Sequence, residues 1–284
     1  MKFWKILIAI LFTVLLLGYA RRTTMVRSVH KAVEQSGISI DHHTVPKQVG
    51  DEIPVISATV KGTSQVNLVY RIGQKGEFLR VPMHPVGGEP SVFVSTLPHF
   101  PKAINAWYYI EAVRLTANGE MIVTLPDKDS GTFKPILLKY EGKVPAFIII
   151  PHVLCNFGAI FFAALTLFSA IDLRKGKRSL KETIKFPLTT FTLLFLGFLP
   201  FGIAMNWFAF GATWQAFPFG KDVTDNKSQI IMLFWLVTLI LVKGTLFGKG
   251  ETKNLVSDRG YFNMVIVSVL VTIAMYAIPH SFVF

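Results

Sequence analysis

Long apolar runs separated by short basic segments dominate the chain. The first run extends from Phe3 to Ala20 and is interrupted only by Lys5. Four more follow in the C-terminal half, at about residues 146–171, 186–208, 230–247 and 261–279. Because a helix needs about 20 apolar residues to cross a bilayer, the pattern predicts five spanning helices. The run at 230–247 is marginal, since its continuous apolar part ends at Val242.

The N-terminal segment keeps a helical period beyond its apolar run. Met25, Val26, Val29 and Val33 follow at helical spacing. We therefore predict one long helix, a signal anchor within residues 1–37, with residues 38–52 as a linker. A cleaved signal peptide is the alternative, because residues 18–20 form a small-residue cleavage pattern.

Residues 53–142 change to a two-residue period. Apolar residues alternate from Val66 to Ile72, and segment 106–116 is rich in strand-forming residues. The dipeptide Asn118–Gly119 favours a tight hairpin turn, and residues 120–125 follow as the return strand. About seven short strands in this length predict an antiparallel β-sandwich.

The segment VNLVYRIGQKGEFLRVPM followed by WYYIEAVRLTANGE resembles immunoglobulin-like or fibronectin-III-like domains in its strand spacing. The resemblance covers about a third of the chain and contains no catalytic motif. It implies a sandwich that binds or spaces other molecules, since such folds carry many functions. The fold class expected for the whole chain is thus a membrane protein with an N-terminal helix, an extracytoplasmic β-sandwich and a four-helix transmembrane bundle at 143–284.

Composition supports this class and excludes others. The 284 residues are 51% hydrophobic and only 16% charged, with a net charge of +12. The basic residues lie largely in loops between apolar runs, and no basic face with interleaved aromatic residues indicates nucleic-acid binding. A single cysteine, Cys155, excludes an intrachain disulfide. Nucleotide-binding and hydrolase motifs are absent, so the chain is more consistent with a non-catalytic protein.

Loop charge predicts the orientation. Residues 172–185 and 243–260 are rich in Lys and Arg, whereas 209–228 contain only Lys221 and Lys227. The positive-inside rule places the first two loops in the cytoplasm and the β domain and C-terminus outside. Arg21 and Arg22, after the first run, oppose this arrangement. A bacterial inner membrane is the expected location.

Distinctive polar residues then gather near the outer face. His152 and His280 are candidate ligands of a b-type haem, and each follows a proline that otherwise marks a helix kink or end. The loop at 209–228 offers Asp222, Asp225 and Asn226 as oxygen ligands for a divalent cation. The alternative is that Asp225 or Asn226 caps the next helix.

Aromatic residues of the same loop are candidate contacts with a partner or the membrane interface: Trp214, Phe217 and Phe219. Four of the other histidines, at positions 42, 43, 84 and 99, are expected in loops without metal-binding spacing.

The leading functional hypothesis is an accessory subunit of a larger membrane complex, docking through the β domain and loop 209–228, with other subunits and the bilayer as partners. One alternative is an electron-transfer protein with a haem or quinone site. The other is a ligand-binding sensor or receptor subunit. We expect no nucleic-acid partner.

Overall fold

The computed structural model describes residues 2–25, 27–87, 91–117, 119–128, 131, 133–248 and 253–278. The chain forms two compact units. A helical unit comprises Met1–Met25, Val144–Phe208 and Ala212–Phe284, and a strand-rich unit comprises Val26–Lys143 and Ala209–Gly211. Most of the strand-rich unit, Val26–Lys143, therefore lies in the chain between the first helix and the rest of the helical unit.

The helical unit contains eight described helices and one π-helical turn. They are α1 (Phe3–Thr24), α2 (Ala146–Arg174), α3 (Leu180–Thr183), α4 (Lys185–Leu196), the π turn (Gly197–Phe201), α5 (Gly202–Phe210), α6 (Val223–Leu241), α7 (Lys243–Phe247) and α8 (Asp258–Ala277). The helix α2 packs against α1, α4 and α8, and α6 packs against α4 and α8. Small and apolar side chains fill the core, among them Ala159, Ala163, Trp235 and Val265.

Four described helical segments are long and apolar enough to cross a bilayer, as expected for an integral membrane protein. They are Phe3–Thr23, Ala146–Arg174, Leu180–Phe210 and Asp258–Ala277. The fifth predicted span, at 230–247, corresponds to α6 and α7, and α6 is not among the four. The first two turns of α6 are mostly polar, and the helix ends at Val242, where the backbone leaves helical geometry.

The strand-rich unit has two sheets around one hydrophobic core. Its strands are β1 (His30–Gln35), β2 (Ile38–His43), β3 (Lys47–Val49), β4 (Val55–Lys61), β5 (Gln65–Ile72), β6 (Leu79–Pro82), β7 (His84–Val86), β8 (Ser91–Thr96), β9 (Asn105–Thr116), β10 (Gly119–Leu125) and β11 (Ile136–Glu141). One sheet has the order β1-β2-β4-β8-β7, and the other has β3-β11-β9-β5-β6, with β10 also paired to β9. All pairs are antiparallel except β11 with β3.

The β9–β10 pair confirms the predicted hairpin, with Thr116 opposite Gly119. Asn118 lies outside the described residues. The strand β9 is unusually long because it pairs with β5 along one edge and with β10 and then β11 along the other. Its inward residues, Ala106, Tyr108, Ile110 and Ala112, are buried in the shared core.

The predicted helix extending to residue 36 and the predicted linker at 38–52 are wrong. The helix α1 ends at Thr24, and β1 and β2 form an antiparallel hairpin in their place. Ser36 and Gly37 both have positive φ, 54° and 75°, which is the geometry of a two-residue type I′ turn. The valine spacing that suggested a helix is overridden by this turn and by burial of Ile38 and Ile40 in the sheet core.

A polar network crosses the core between the two sheets. His42 on β2 is fully buried, its Nδ1 lies 2.7 Å from the Ser57 carbonyl, and its Nε2 lies 2.9 Å from the Tyr108 hydroxyl. Since the Ser57 carbonyl only accepts, Nδ1 carries the proton and Nε2 accepts from Tyr108. The Tyr108 oxygen in turn accepts from the Val45 amide at 3.0 Å. Every polar atom of this network is paired only while His42 is neutral.

Burial lowers the pKa of His42 below its ordinary value. Below about pH 6.5 the imidazole of His42 is protonated more readily in the unfolded chain than in the folded unit. The free energy of unfolding therefore decreases as the pH falls, by up to about 1.4 kcal/mol per pH unit. We expect hydrogen exchange of the β2 and β9 amides, corrected for its intrinsic pH dependence, to accelerate from pH 7 to pH 5. The variant His42→Gln should lose this component.

The matched control is His84→Gln, which changes an exposed histidine on β7. It should retain the pH dependence of the wild type. If His42→Gln kept that dependence unchanged, another group would be responsible.

Candidate functional site

A cavity of about 650 Å³ lies within the helical unit, between α1, α2, α6 and α8. Its walls are mostly apolar, with Val14 and Leu17 from α1, Phe157 from α2, Phe198 from the π turn and Ile231 from α6. Its polar lining is supplied by Arg21, His152, Asn156, Thr224, Lys227, Ser228 and Tyr276. The volume is in the range of small-molecule pockets, and the mixed lining suits an amphiphilic molecule.

The polar lining is ordered by a chain of hydrogen bonds across three helical segments. Tyr276 on α8 donates from its hydroxyl to Asn156 Oδ1 at 2.7 Å. The Asn156 amide nitrogen lies 2.8 Å from the His152 carbonyl and 3.3 Å from His152 Nε2. His152 Nδ1 lies 2.9 Å from the Gly197 carbonyl, to which it donates. These contacts fix α2 against α8 and against the π turn.

The π turn supplies the acceptor for His152. Pro200 lies inside it and has no backbone N–H to continue the α-helical ladder, a common origin of such widened turns. At Gly197 an added Cβ would come within 3.1 Å of the Cys155 Cβ and 3.3 Å of the Asn156 amide nitrogen. The turn approaches α2 so closely that a side chain at position 197 would require Cys155 and Asn156 to shift by a few tenths of an ångström.

Lys227 is the unusual member of the lining. It lies one turn into α6, is only 6% exposed, and its Nζ donates to the Ile278 carbonyl at 2.6 Å. Among the described residues no carboxylate lies within ion-pair distance of it. Arg21, near the C-terminal end of α1, lines the same cavity. A buried ammonium is costly without a counter-charge, so this cavity is suited to an anionic group.

The N-terminal end of α1 contacts the C-terminal end of α2 through an ion pair, away from the cavity. The buried Lys5 pairs with Asp172 at 2.5 Å, and Arg178 lies 3.7 Å from the other oxygen of the same carboxylate. Here the buried cation has its counter-charge within the chain, in contrast to Lys227. The two ends of the helical unit are thus electrostatically distinct.

The proposed cation ligands are used to hold the loop that precedes α6. Asp222 caps the helix by accepting from the Asp225 amide at 2.9 Å, three residues before Asp225 and four before Asn226, the two predicted caps. The Asp225 carboxylate accepts from the Gln215 amide at 2.7 Å and from the Asn206 side chain at 3.2 and 3.3 Å. Asn226 accepts from the Phe217 amide at 3.0 Å. The predicted cap at Asp225 or Asn226 is therefore wrong, because Asp222 is the residue that accepts from the first helical turn. All three side chains nevertheless have hydrogen-bond partners within the loop and α6.

The loop aromatic residues separate into two groups. Trp214 is half-buried and packs against the helical core. Phe217 and Phe219 are 72% and 83% exposed. The two exposed rings are free to enter a membrane interface or a partner surface.

The structure describes only one of the two histidines proposed as haem ligands, because His280 lies outside the described residues. Both ring nitrogens of His152 already have partners, Gly197 and Asn156. Iron ligation through Nε2 would require release of Asn156. The haem interpretation therefore stays a prediction that rests on His152 alone.

A second set of ligating side chains was missed by the sequence interpretation. His30, Asp41 and His43 lie together on the β1–β2 hairpin in the strand-rich unit. They were overlooked because the hairpin was predicted as helix and linker. The signal that indicates it is the Ser36–Gly37 turn between two alternating segments.

The sequence matches no protein-family model, and no curated protein matches it.

The loop contacts give a prediction for the cation hypothesis. Asp225→Ala should remove three hydrogen bonds to a buried carboxylate, at a cost of about 3 kcal/mol, and expose the Gln215 amide to exchange. Asp222→Ala should cost only about 1 kcal/mol, the value of a helix cap. Hydrogen exchange measures both, and addition of EDTA to the wild type should leave Gln215 protected. Loss of that protection with EDTA would favour a bound cation.

Proposed function

We propose that the protein is a non-catalytic integral membrane protein whose helical unit binds an amphiphile with an anionic head group. The observation that carries this proposal is the buried Lys227, which faces a largely apolar cavity without a carboxylate partner among the described residues. A phosphate or carboxylate head would neutralise Lys227. The hydrocarbon tail would lie along Val14, Leu17 and Phe157.

Binding energy in this arrangement comes from two sources. Apolar area removed from lipid gains little, because a lipid tail in the bilayer is already in hydrocarbon. The larger contribution is electrostatic, since the head group would form an ion pair with a buried lysine that has no carboxylate at ion-pair distance among the described residues. The head group therefore determines selectivity, and the tail determines only whether the molecule fits.

Two lysines allow a matched test, with Lys221 as an exposed cation in the loop before α6. Lys227→Met should stabilise the lipid-free protein, because it removes a buried charge and keeps the apolar stem. The same change should abolish most of the rise in melting temperature produced by an anionic phospholipid. Lys221→Met should behave as wild type in both measurements.

The variants Arg21→Gln and Arg22→Gln provide a second pair, since only Arg21 lines the cavity. In nanodiscs containing anionic phospholipid, native mass spectrometry should show at least tenfold lower lipid occupancy for Lys227→Met and Arg21→Gln. Equal occupancy in all four variants and the wild type would contradict the proposal. A retained neutral quinone would instead support the electron-transfer alternative, which the polar chain from His152 to Tyr276 favours.

A role as accessory subunit is the second proposal, and the exposed Phe217 and Phe219 favour it. The two sheets with one core support a sandwich architecture, and the immunoglobulin-like resemblance stays a prediction. Loop charges support an outer location for the strand-rich unit in a bacterial inner membrane.

Extraction from the native membrane in mild detergent tests the subunit proposal. We expect co-purifying proteins at fixed stoichiometry, and their loss in the double variant Phe217→Ser/Phe219→Ser because two apolar anchors are removed. Phe247→Ser, which changes another highly exposed ring, is the control. A lone chain from wild-type membranes would contradict a stable complex.

A further inference from the structure

The outward face of the β1–β2 hairpin carries an imidazole pair and a carboxylate in one small area. His30 and His43 are directly opposite in the ladder, and Asp41 is opposite Ala32, one step further along the same face. The ring centroids of the two histidines are 5.0 Å apart, and His30 Nε2 lies 2.8 Å from Asp41 Oδ2. All three ligand atoms lie within 4.8 Å of one another.

We propose that His30, Asp41 and His43 form a site for one divalent transition-metal ion, with Zn²⁺ as the physiological class. Two imidazoles and one carboxylate are ligands that Zn²⁺ takes, with water completing the tetrahedron. Tetrahedral bonds of about 2.0–2.1 Å place ligand atoms about 3.3 Å apart, so only small side-chain rotations are needed. The half-exposed side chains, 52% for His30 and 50% for Asp41, are free to make them.

The backbone that carries these ligands is held on both sides of the histidine pair. Toward the turn, the ladder continues to Gln35 opposite Ile38. Beyond the pair, the Thr44 amide donates to the Val29 carbonyl at 3.0 Å, and the Val29 amide donates to Thr44 Oγ1 at 2.8 Å. The ligands therefore project from paired strands and are more precisely placed than loop residues would be.

The chemistry of the set selects the ion. Carboxylates and waters alone suit Mg²⁺ and Ca²⁺, whereas two imidazoles favour Zn²⁺ and Cu²⁺. An ion at this position would join the edge strand β1 to β2 and would place a positive charge on an exposed sheet edge. Such a charge opposes pairing of the edge with another chain. This site lies in the strand-rich unit and is independent of the proposed amphiphile cavity.

Titration calorimetry of the full-length protein in detergent with zinc chloride tests the proposal. We expect one equivalent bound with a dissociation constant below about 10 μM, and at least tenfold weaker binding in His30→Gln, Asp41→Asn and His43→Gln. Cobalt substitution should give the visible absorption of a tetrahedral site. His84→Gln, on β7, should bind as the wild type does.

Chemical modification of histidines in the wild-type protein tests the same site without any substitution. Zinc chloride should slow modification of His30 and His43 by diethyl pyrocarbonate, while His84 reacts at the same rate with and without the ion. The proposal is overturned if the wild type binds no zinc, if His43→Gln binds it as tightly as the wild type, or if zinc protects His84 equally.

Discussion

Water is absent from the hydrocarbon interior of a bilayer, so a polar side chain within the helical unit gains most from a partner inside the protein. Several such pairs join neighbouring helices in addition to the apolar core. Examples are Thr238 with Ser268 at 2.8 Å, Trp235 with Thr272 at 3.0 Å, and Tyr276 with Asn156 at 2.7 Å. Each pair fixes the register of one helix against another, because sliding either helix by one residue would leave a buried donor unsatisfied. Small residues such as Ala159, Ala163 and Gly158 then allow close packing.

Lys227, which lines the cavity, has a hydrogen-bond partner but no carboxylate at ion-pair distance among the described residues. At the other end of the unit a buried lysine, Lys5, has Asp172 beside it. Lys227 has a backbone carbonyl, which satisfies one N–H and neutralises no charge. Its position also explains why α6 is less apolar than the other long helices, because its first turns carry the polar residues that line the cavity. Arg21, whose charge opposed the predicted orientation, lines the same cavity, so its place in the chain has a reason other than topology.

Elements that depend on local composition were predicted correctly from the sequence. Features that depend on contacts between residues distant in the chain were not. Four of five predicted spans correspond to helices of sufficient length and apolarity, because a run of apolar residues is a local signal. The hairpin at β9–β10 was also found from a local turn dipeptide. The cavity was not predictable, since Val14, His152, Lys227 and Tyr276 are remote in sequence and meet only through helix packing. His152 was singled out as a ligand, and the structure instead shows it donating to Gly197 across two helical segments.

Adjacent residues His42 and His43 show why the strand-rich site in particular escaped prediction. Successive side chains of a strand point to opposite faces, so one histidine enters the core and the next faces outward. His42 is buried and neutral between Ser57 and Tyr108, whereas His43 stands beside His30 on the surface. A register shift of one residue would exchange these roles, burying a metal-ligating pair and breaking the polar network of the core. The Ser36–Gly37 turn fixes the register of β1 against β2, and with it which histidine serves stability and which is available for metal.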